Sequence, residues 1–161
     1  MINARVCQPC TACCDGWLQT YVNGVHLYPG NGCQYSSGGK CGDYDNRPHD
    51  PCGAFTCGWL MDESPLPTWM QPSCSKVIVV FNRLRWRGGP VDLAVPVGKR
   101  IPQRALDWLL RHAEKSGRPL LYTEQPKGSD GYSQQQTVYA YGPADFCTRV
   151  AAVKASGQQL W

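Results

Sequence analysis

Cysteine is concentrated in the first third of the chain. Eight of the ten cysteines lie between positions 7 and 57 of a 161-residue sequence. Thiols at this density bind metal, form disulfides or carry out redox chemistry, so they constrain the fold more than any other feature of the sequence. The candidate metal ligands are Cys7, Cys10, Cys13, Cys14, Cys33, Cys41, Cys52 and Cys57.

The sequence carries no recognisable signal for export or membrane insertion. The stretch from Met1 to Arg5 leads directly into the cysteines, without the basic region and apolar run of a signal peptide. No run of about 18 apolar residues is present to span a membrane. We therefore expect a cytoplasmic protein without membrane contact, in which thiols stay reduced. This favours metal binding over disulfides, although the even number of cysteines is compatible with disulfide bridges.

The spacing of the first four cysteines also favours a metal centre. C-x2-C spacing occurs twice in succession, from Cys7 to Cys10 and from Cys10 to Cys13. The turn between two such cysteines directs both sulfurs towards one ion. On a helical turn, however, the side chain of Cys14 points about 100° away from that of Cys13. The adjacent pair therefore indicates two ions, a bridging thiolate, or one ligand beside one packed thiol.

The identity of the metal is open between zinc and iron. Thiolates bind zinc, iron–sulfur clusters and copper(I). C-x2-C-x2-C supplies three ligands of a cubane cluster, but the usual fourth cysteine followed by proline is missing, because Cys14 adjoins Cys13 and precedes Asp15. Zinc needs only four sulfurs, so eight are enough for two ions.

The positive charge of the chain is weak evidence for nucleic-acid binding. The formal net charge of +4 counts the thiols as neutral. Two divalent ions, each bound by four thiolates, would carry a charge of about −2 each and cancel it. The stretch from Arg83 to Arg87 mixes basic and aromatic residues, which suits nucleic acid, but it also suits the exposed face of a strand. We expect metal ions, and no nucleic acid or membrane, as partners.

The cysteine pattern resembles that of the YkgJ-like cysteine-cluster proteins, the CxxCxxCC family, over about residues 5–60. These proteins are described as zinc- or iron-chelating domains. This chain has Gly53 where many members place an arginine. The resemblance implies metal chelation by the eight cysteines and gives Arg47 a role beside the thiolates, whereas the alternative for Arg47 is a solvated side chain before a turn. Besides the eight cysteines, the matching residues are Tyr44, Arg47, Pro48 and Phe55.

Regular secondary-structure patterns begin after the cysteine-rich part of the chain. The sequence predicts an α+β fold, in which an irregular cysteine-rich metal-binding lobe (1–60) and a linker packed between lobes (61–75) precede an α+β lobe (76–161). In that lobe we expect a small antiparallel sheet with one main helix from Pro102 to Lys115, which Pro102 begins and Gly117 ends. We also expect the tail from Ala144 to Leu160 to add a short helix. The predicted strands are Val77–Phe81 with an extension to Arg87, Val91–Val95, Pro119–Thr123 and Gln136–Tyr141.

Few other residues are candidates for chemistry. His49 lies inside the cysteine pattern, whereas His112 falls on the apolar face of the predicted helix and is better explained by packing. His26, Cys74 and Cys147 are weaker candidates as ligands. No Ser/His/Asp triad or carboxylate pair stands out.

The sequence therefore predicts a zinc- or iron-binding module with a structural or regulatory role and no catalysis of its own. In this reading the ions would replace part of the hydrophobic core. The first alternative is an iron–sulfur-dependent enzyme or redox protein. The second is a metal carrier with a more exposed, exchangeable site.

Overall fold

A computed structural model describes residues 5–128, 131–132 and 136–158. It has the α+β architecture that the sequence predicts, with turns and short hairpins first and a four-stranded sheet with two longer helices after them. The N-terminal elements are β1 (Tyr21–Val22), β2 (Val25–His26), β3 (Ser36–Ser37), β4 (Lys40–Cys41), a wide helical turn at His49–Gly53, a 3-10 turn at Thr68–Met70 and α1 (Pro72–Ser75).

The second part of the chain contains the main sheet. The β-branched run Val77–Val80 is buried at four consecutive positions, as expected for a strand that is covered on both faces. The elements are β5 (Val77–Trp86), β6 (Gly89–Pro96), α2 (Gln103–Ser116), β7 (Leu120–Glu124), β8 (Lys127–Gly128), β9 (Gly131–Tyr132), β10 (Thr137–Tyr141) and α3 (Ala144–Ala155).

The main sheet is mixed, and the prediction of a small antiparallel sheet is wrong in this respect. Its strand order is β10-β7-β6-β5. The pairs β5–β6 and β7–β10 are antiparallel, but β6 and β7 are parallel, with Asp92 opposite Leu120. The reason is the connection: α2 carries the chain back across the sheet, and such a crossover places the next strand parallel to the one before it.

Both predicted helices are present. α2 has 14 residues and matches the main helix, and α3 forms the helix expected in the tail, with 12 residues after Pro143. Only Phe146 and Val150 of α3 are buried, one turn apart. This narrow apolar contact gives the segment little helical periodicity in sequence. Within the described residues, no helix combines the length and apolar character needed to cross a bilayer.

One hydrophobic core joins the sheet to the cysteine-rich segment. The core of β5, β6 and α2 continues without a break into Ala12, Cys57 and Trp59. Gly58 makes the junction at the outer edge of β5, where its N–H donates to the Val79 carbonyl at 2.8 Å. A Cβ at Gly58 would lie 2.7 Å from that carbonyl oxygen, so only glycine allows the approach. The segment thereby covers the edge of β5 and fixes Cys57 against the sheet.

Candidate metal centre

All ten cysteines are free thiols. Cys57 is buried, whereas Cys7 and Cys74 are exposed and the others are intermediate. The alternative prediction of disulfide bridges therefore finds no support in the structure. The eight cysteines of the sequence pattern fall into two groups, described in turn below.

The first group, called the inner group, surrounds a small cavity. It consists of Cys7, Cys10, Cys13 and Cys57. The Cys10 N–H donates to the Cys7 carbonyl at 2.8 Å, which closes the turn of the first C-x2-C unit. All four residues line a cavity of about 30 Å³, enough for a water-sized occupant, and Cys14 reaches the same cavity. Apart from the five cysteines, the walls come from Thr11, Ala12, Trp59, Leu60, Gln71 and Pro72.

The thiols of the inner group affect one another's ionisation. Burial raises the pKa of Cys13 well above its ordinary value, and the charges of Cys57, Cys14, Cys10 and Cys7 add to this effect in that order. Burial likewise raises the pKa of Cys57 to about 11. The pKa of Cys7 is raised as well, first by desolvation of the thiol and then by the charge of Cys10, although part of the residue faces solvent. Without a metal, the thiols of Cys7, Cys13 and Cys57 therefore hold their protons more firmly than a free cysteine does.

The second group, called the outer group, consists of Cys14, Cys33, Cys41 and Cys52. Backbone contacts bring the first three of them together. The Cys33 N–H donates to the Cys14 carbonyl at 2.6 Å. A Cβ on Gly32 would come within 3.2 Å of the same carbonyl, so a side chain before Cys33 would require the backbone to move by a few tenths of an ångström. The β3–β4 hairpin then returns Cys41, which pairs with Ser36 three residues after Cys33.

Electrostatics groups the same four cysteines. Burial raises the pKa of Cys14 to about 12, followed by the charges of Cys33 and Cys41, with Cys7 and Cys52 behind them. Burial also raises the pKa of Cys52, and the next two causes are Cys33 and Cys41. Cys33 and Cys41 are thus the thiols that most affect both Cys14 and Cys52, while Cys14 also affects Cys13 and Cys7 affects Cys14 across the two groups.

Arg47 supplies a positive charge beside the outer group. Its charge acts to lower the pKa of Cys52 against the effect of burial. Its Nη1 donates to the Tyr44 carbonyl at 2.6 Å, and its guanidinium lies 3.8 Å from the centre of the Tyr44 ring. Tyr44 therefore holds Arg47 by stacking and by its carbonyl, and the arginine is not a freely solvated side chain.

The donor set fits a thiophilic metal by its chemistry. Cysteine sulfurs are the preferred ligands of zinc and of iron–sulfur clusters, and eight of them are gathered here. As positioned, no three Cys, His, Asp or Glu side chains in the described part of the chain form a ready-made metal site. Binding would therefore require the thiols to lose their protons and close around the ion.

Of the other candidate ligands, two histidines pack against aromatic rings. His26 stacks on Tyr21 at 4.7 Å between ring centres, and His112 stacks on Trp108 at 5.0 Å. His49 is exposed in the helical turn before Cys52. Cys74 is exposed beside Ser73, and the sulfur of Cys147 faces the carbonyl of Ala140 at 3.8 Å. These two cysteines belong to neither group.

A second cleft, which the sequence did not indicate, lies between the segment 61–65 and the sheet. It has a volume of about 370 Å³, and Phe81, Asn82, His112 and Arg118 form its far wall. Arg118 donates from Nη2 to buried Asp92 at 2.6 Å and to Asn82 at 3.4 Å. Asn82 has φ of 61° where the register of β5 shifts, and no local sequence pattern announces such a bulge.

The chain matches no protein-family model, no curated protein and no solved structure.

Proposed function

We propose that this protein is a metal-binding module whose N-terminal cysteine cluster takes zinc or iron, the latter as an ion or an iron–sulfur centre. The observation that carries the proposal is the cavity of about 30 Å³ around which five cysteine side chains meet without forming a disulfide. A thiolate cluster of this kind binds soft or borderline metals in preference to hard ones.

The role of the metal would be structural or regulatory. The cysteine-rich segment has only two-residue strands and turns, which bury little apolar surface of their own. Metal–thiolate bonds that tie its loops together would replace core that the segment lacks. The resemblance to the YkgJ-like cysteine-cluster family agrees with chelation, and membership of that family is part of the proposal. The thiols must stay reduced to bind, which suits the cytoplasm.

Metal analysis of anaerobically purified protein tests the proposal. We expect zinc or iron at about two atoms per chain if each ion takes four thiolates. A colourless zinc protein would support the structural role. A brown protein with acid-labile sulfide would favour the alternative of an iron–sulfur enzyme or redox protein. Protein that binds neither metal, although all its thiols are reduced, would refute the proposal.

A further inference from the structure

We infer that the cysteines form two separate metal sites, with the inner group (Cys7, Cys10, Cys13, Cys57) holding one ion and the outer group (Cys14, Cys33, Cys41, Cys52) holding the other. This assignment rests on the proposed function and deepens it. The boundary between the sites runs between two consecutive residues, Cys13 and Cys14. The site of the outer group is the exchangeable one.

The chain geometry separates the adjacent cysteines. The Asp15 N–H donates to the Thr11 carbonyl at 2.8 Å, so residues 11–15 form one helical turn. Consecutive side chains on such a turn diverge by about 100°. Cys13 therefore lies with the buried Cys57, while the carbonyl of Cys14 is hydrogen-bonded to the backbone of Cys33.

The inner cavity excludes three of the outer cysteines. Cys33, Cys41 and Cys52 do not line it, whereas all four inner cysteines do. Cys14 lines the inner cavity and also contacts Cys33 of the outer group, so a thiolate that bridged the two ions would be that of Cys14. Its carbonyl nevertheless accepts a hydrogen bond from the Cys33 N–H at 2.6 Å, which places it in the outer group.

The two groups differ in their relation to the core. Cys57 is 7% exposed and belongs to the hydrophobic core, and Cys10 and Cys13 pack against that core. No cysteine of the outer group does so. A chelator that removes metal from the inner group must open the core, whereas one that attacks the outer group meets only turns and a two-residue hairpin. The outer ion should therefore leave first.

Double substitutions test the assignment with matched pairs. The chain is reduced, reconstituted with Co²⁺ and then with Zn²⁺, and its metal content and Co²⁺–thiolate absorption are measured. The within-group variants are C10S/C57S and C41S/C52S, and the across-group variant is C10S/C52S. C74S/C147S is the control, because those two cysteines lie in neither group.

We expect each within-group variant to lose about one of about two ions and the across-group variant to lose full thiolate coordination at both. The control keeps both ions. Within-group changes that remove both ions, or an across-group change that damages one site only, overturn the assignment while leaving metal binding intact. A wild-type chain that binds no metal overturns the proposed function, and this assignment with it.

Metal release from the wild-type protein tests the exchangeable site even if an inner-group variant fails to fold. A chelator in excess should remove zinc in a fast and a slow phase, and C41S/C52S should lack the fast phase. A single phase, or loss of the slow phase in C41S/C52S, overturns the inference.

Discussion

Individual residues control this site through charge and through close backbone approach. Arg47 is held by Tyr44 and acts on Cys52, while Gly16 and Gly32 let separate turns come into contact. The candidate ligands could be proposed from spacing, because C-x2-C units have a local geometry. The division between Cys13 and Cys14 could not, because it depends on which distant thiols fold back to each of them.

Replacing Arg47 should weaken the outer site selectively. The guanidinium offsets the negative charge that four thiolates and a divalent ion leave behind. We expect R47A to lower zinc affinity by about tenfold, as is typical for groups next to metal ligands, and R47K to retain part of it. Competition with a chromophoric chelator measures this. R83A, which removes an exposed arginine from β5, is the control. Equal affinities in R47A and R83A would contradict a role for Arg47.

Gly16 should be irreplaceable for reasons of space as well as backbone conformation. Its φ is +91°, and a Cβ there would lie 2.7 Å from the Tyr28 nitrogen and closer still to its carbonyl. Gly30 has a similar φ of +102° but open space around it. G16A should therefore lower the free energy of unfolding by about 1–3 kcal/mol more than G30A. Urea titration of both variants measures the difference, and equal losses would show that conformation alone matters.

Protonation of His112 should lower the free energy of unfolding in mild acid. Burial is the first cause that lowers its pKa; the charge of Asp92 opposes this, and Arg118 and Lys115 reinforce it. The folded chain thus favours the neutral ring. The stability that the neutral ring contributes is complete above the pKa of histidine in the unfolded chain, about 6.5. It is lost as the pH falls through the lower pKa that His112 has in the folded chain.

The pH dependence of unfolding separates this contribution from the packing of the ring. We expect the free energy of unfolding to fall more between pH 7.5 and pH 5.5 in wild type than in H112Q, whatever the difference between the two at pH 7.5. Urea titration at both pH values measures it. Parallel losses in the two proteins would assign the acid sensitivity to other groups.

At the level of elements, local patterns predicted most of the second half of the chain. The β5–β6 hairpin and α2 follow from a β-branched run, a Gly-Gly turn and a strong apolar face. The parallel pairing of β6 with β7 was missed, because strand direction depends on how α2 crosses the sheet rather than on the residues of either strand. The bulge at Asn82 was missed because β5 gains two residues relative to β6 between Val80 and Leu84, and an insertion of two residues leaves the alternation of a strand unchanged.

The contact between Gly58 and β5 joins the cysteine-rich segment to the sheet and fixes the position of Cys57. In G58A the new methyl group would meet the Val79 carbonyl oxygen at 2.7 Å and the Phe81 ring at 2.9 Å. We expect a loss of about 1–3 kcal/mol in the free energy of unfolding and slower uptake of zinc by the inner group. G89A is the matched control, because its nearest contact would be 3.6 Å, an ordinary van der Waals distance. Equal stability of the two variants would show that the junction tolerates a side chain.

For the molecule as a whole, the sheet provides rigidity and the cysteine-rich segment provides the site. The continuous core from β5 to Ala12 and Trp59 lets the sheet support the inner group directly. The outer group is held by turns and a two-residue hairpin, so an ion bound there would add stability that this part of the chain otherwise lacks. This arrangement explains why one chain combines a conventional α+β core with a segment of 52 residues, from Cys7 to Gly58, that has no strand longer than two residues.

Alkylation of the thiols with and without Zn²⁺, read residue by residue by mass spectrometry under reducing conditions, tests the central claim most directly. The account predicts that zinc protects the eight cysteines from Cys7 to Cys57, while exposed Cys74 reacts equally in both samples. The protection of Cys14, Cys33, Cys41 and Cys52 should be lost first when a chelator is added. The same alkylation pattern with and without zinc would contradict the account.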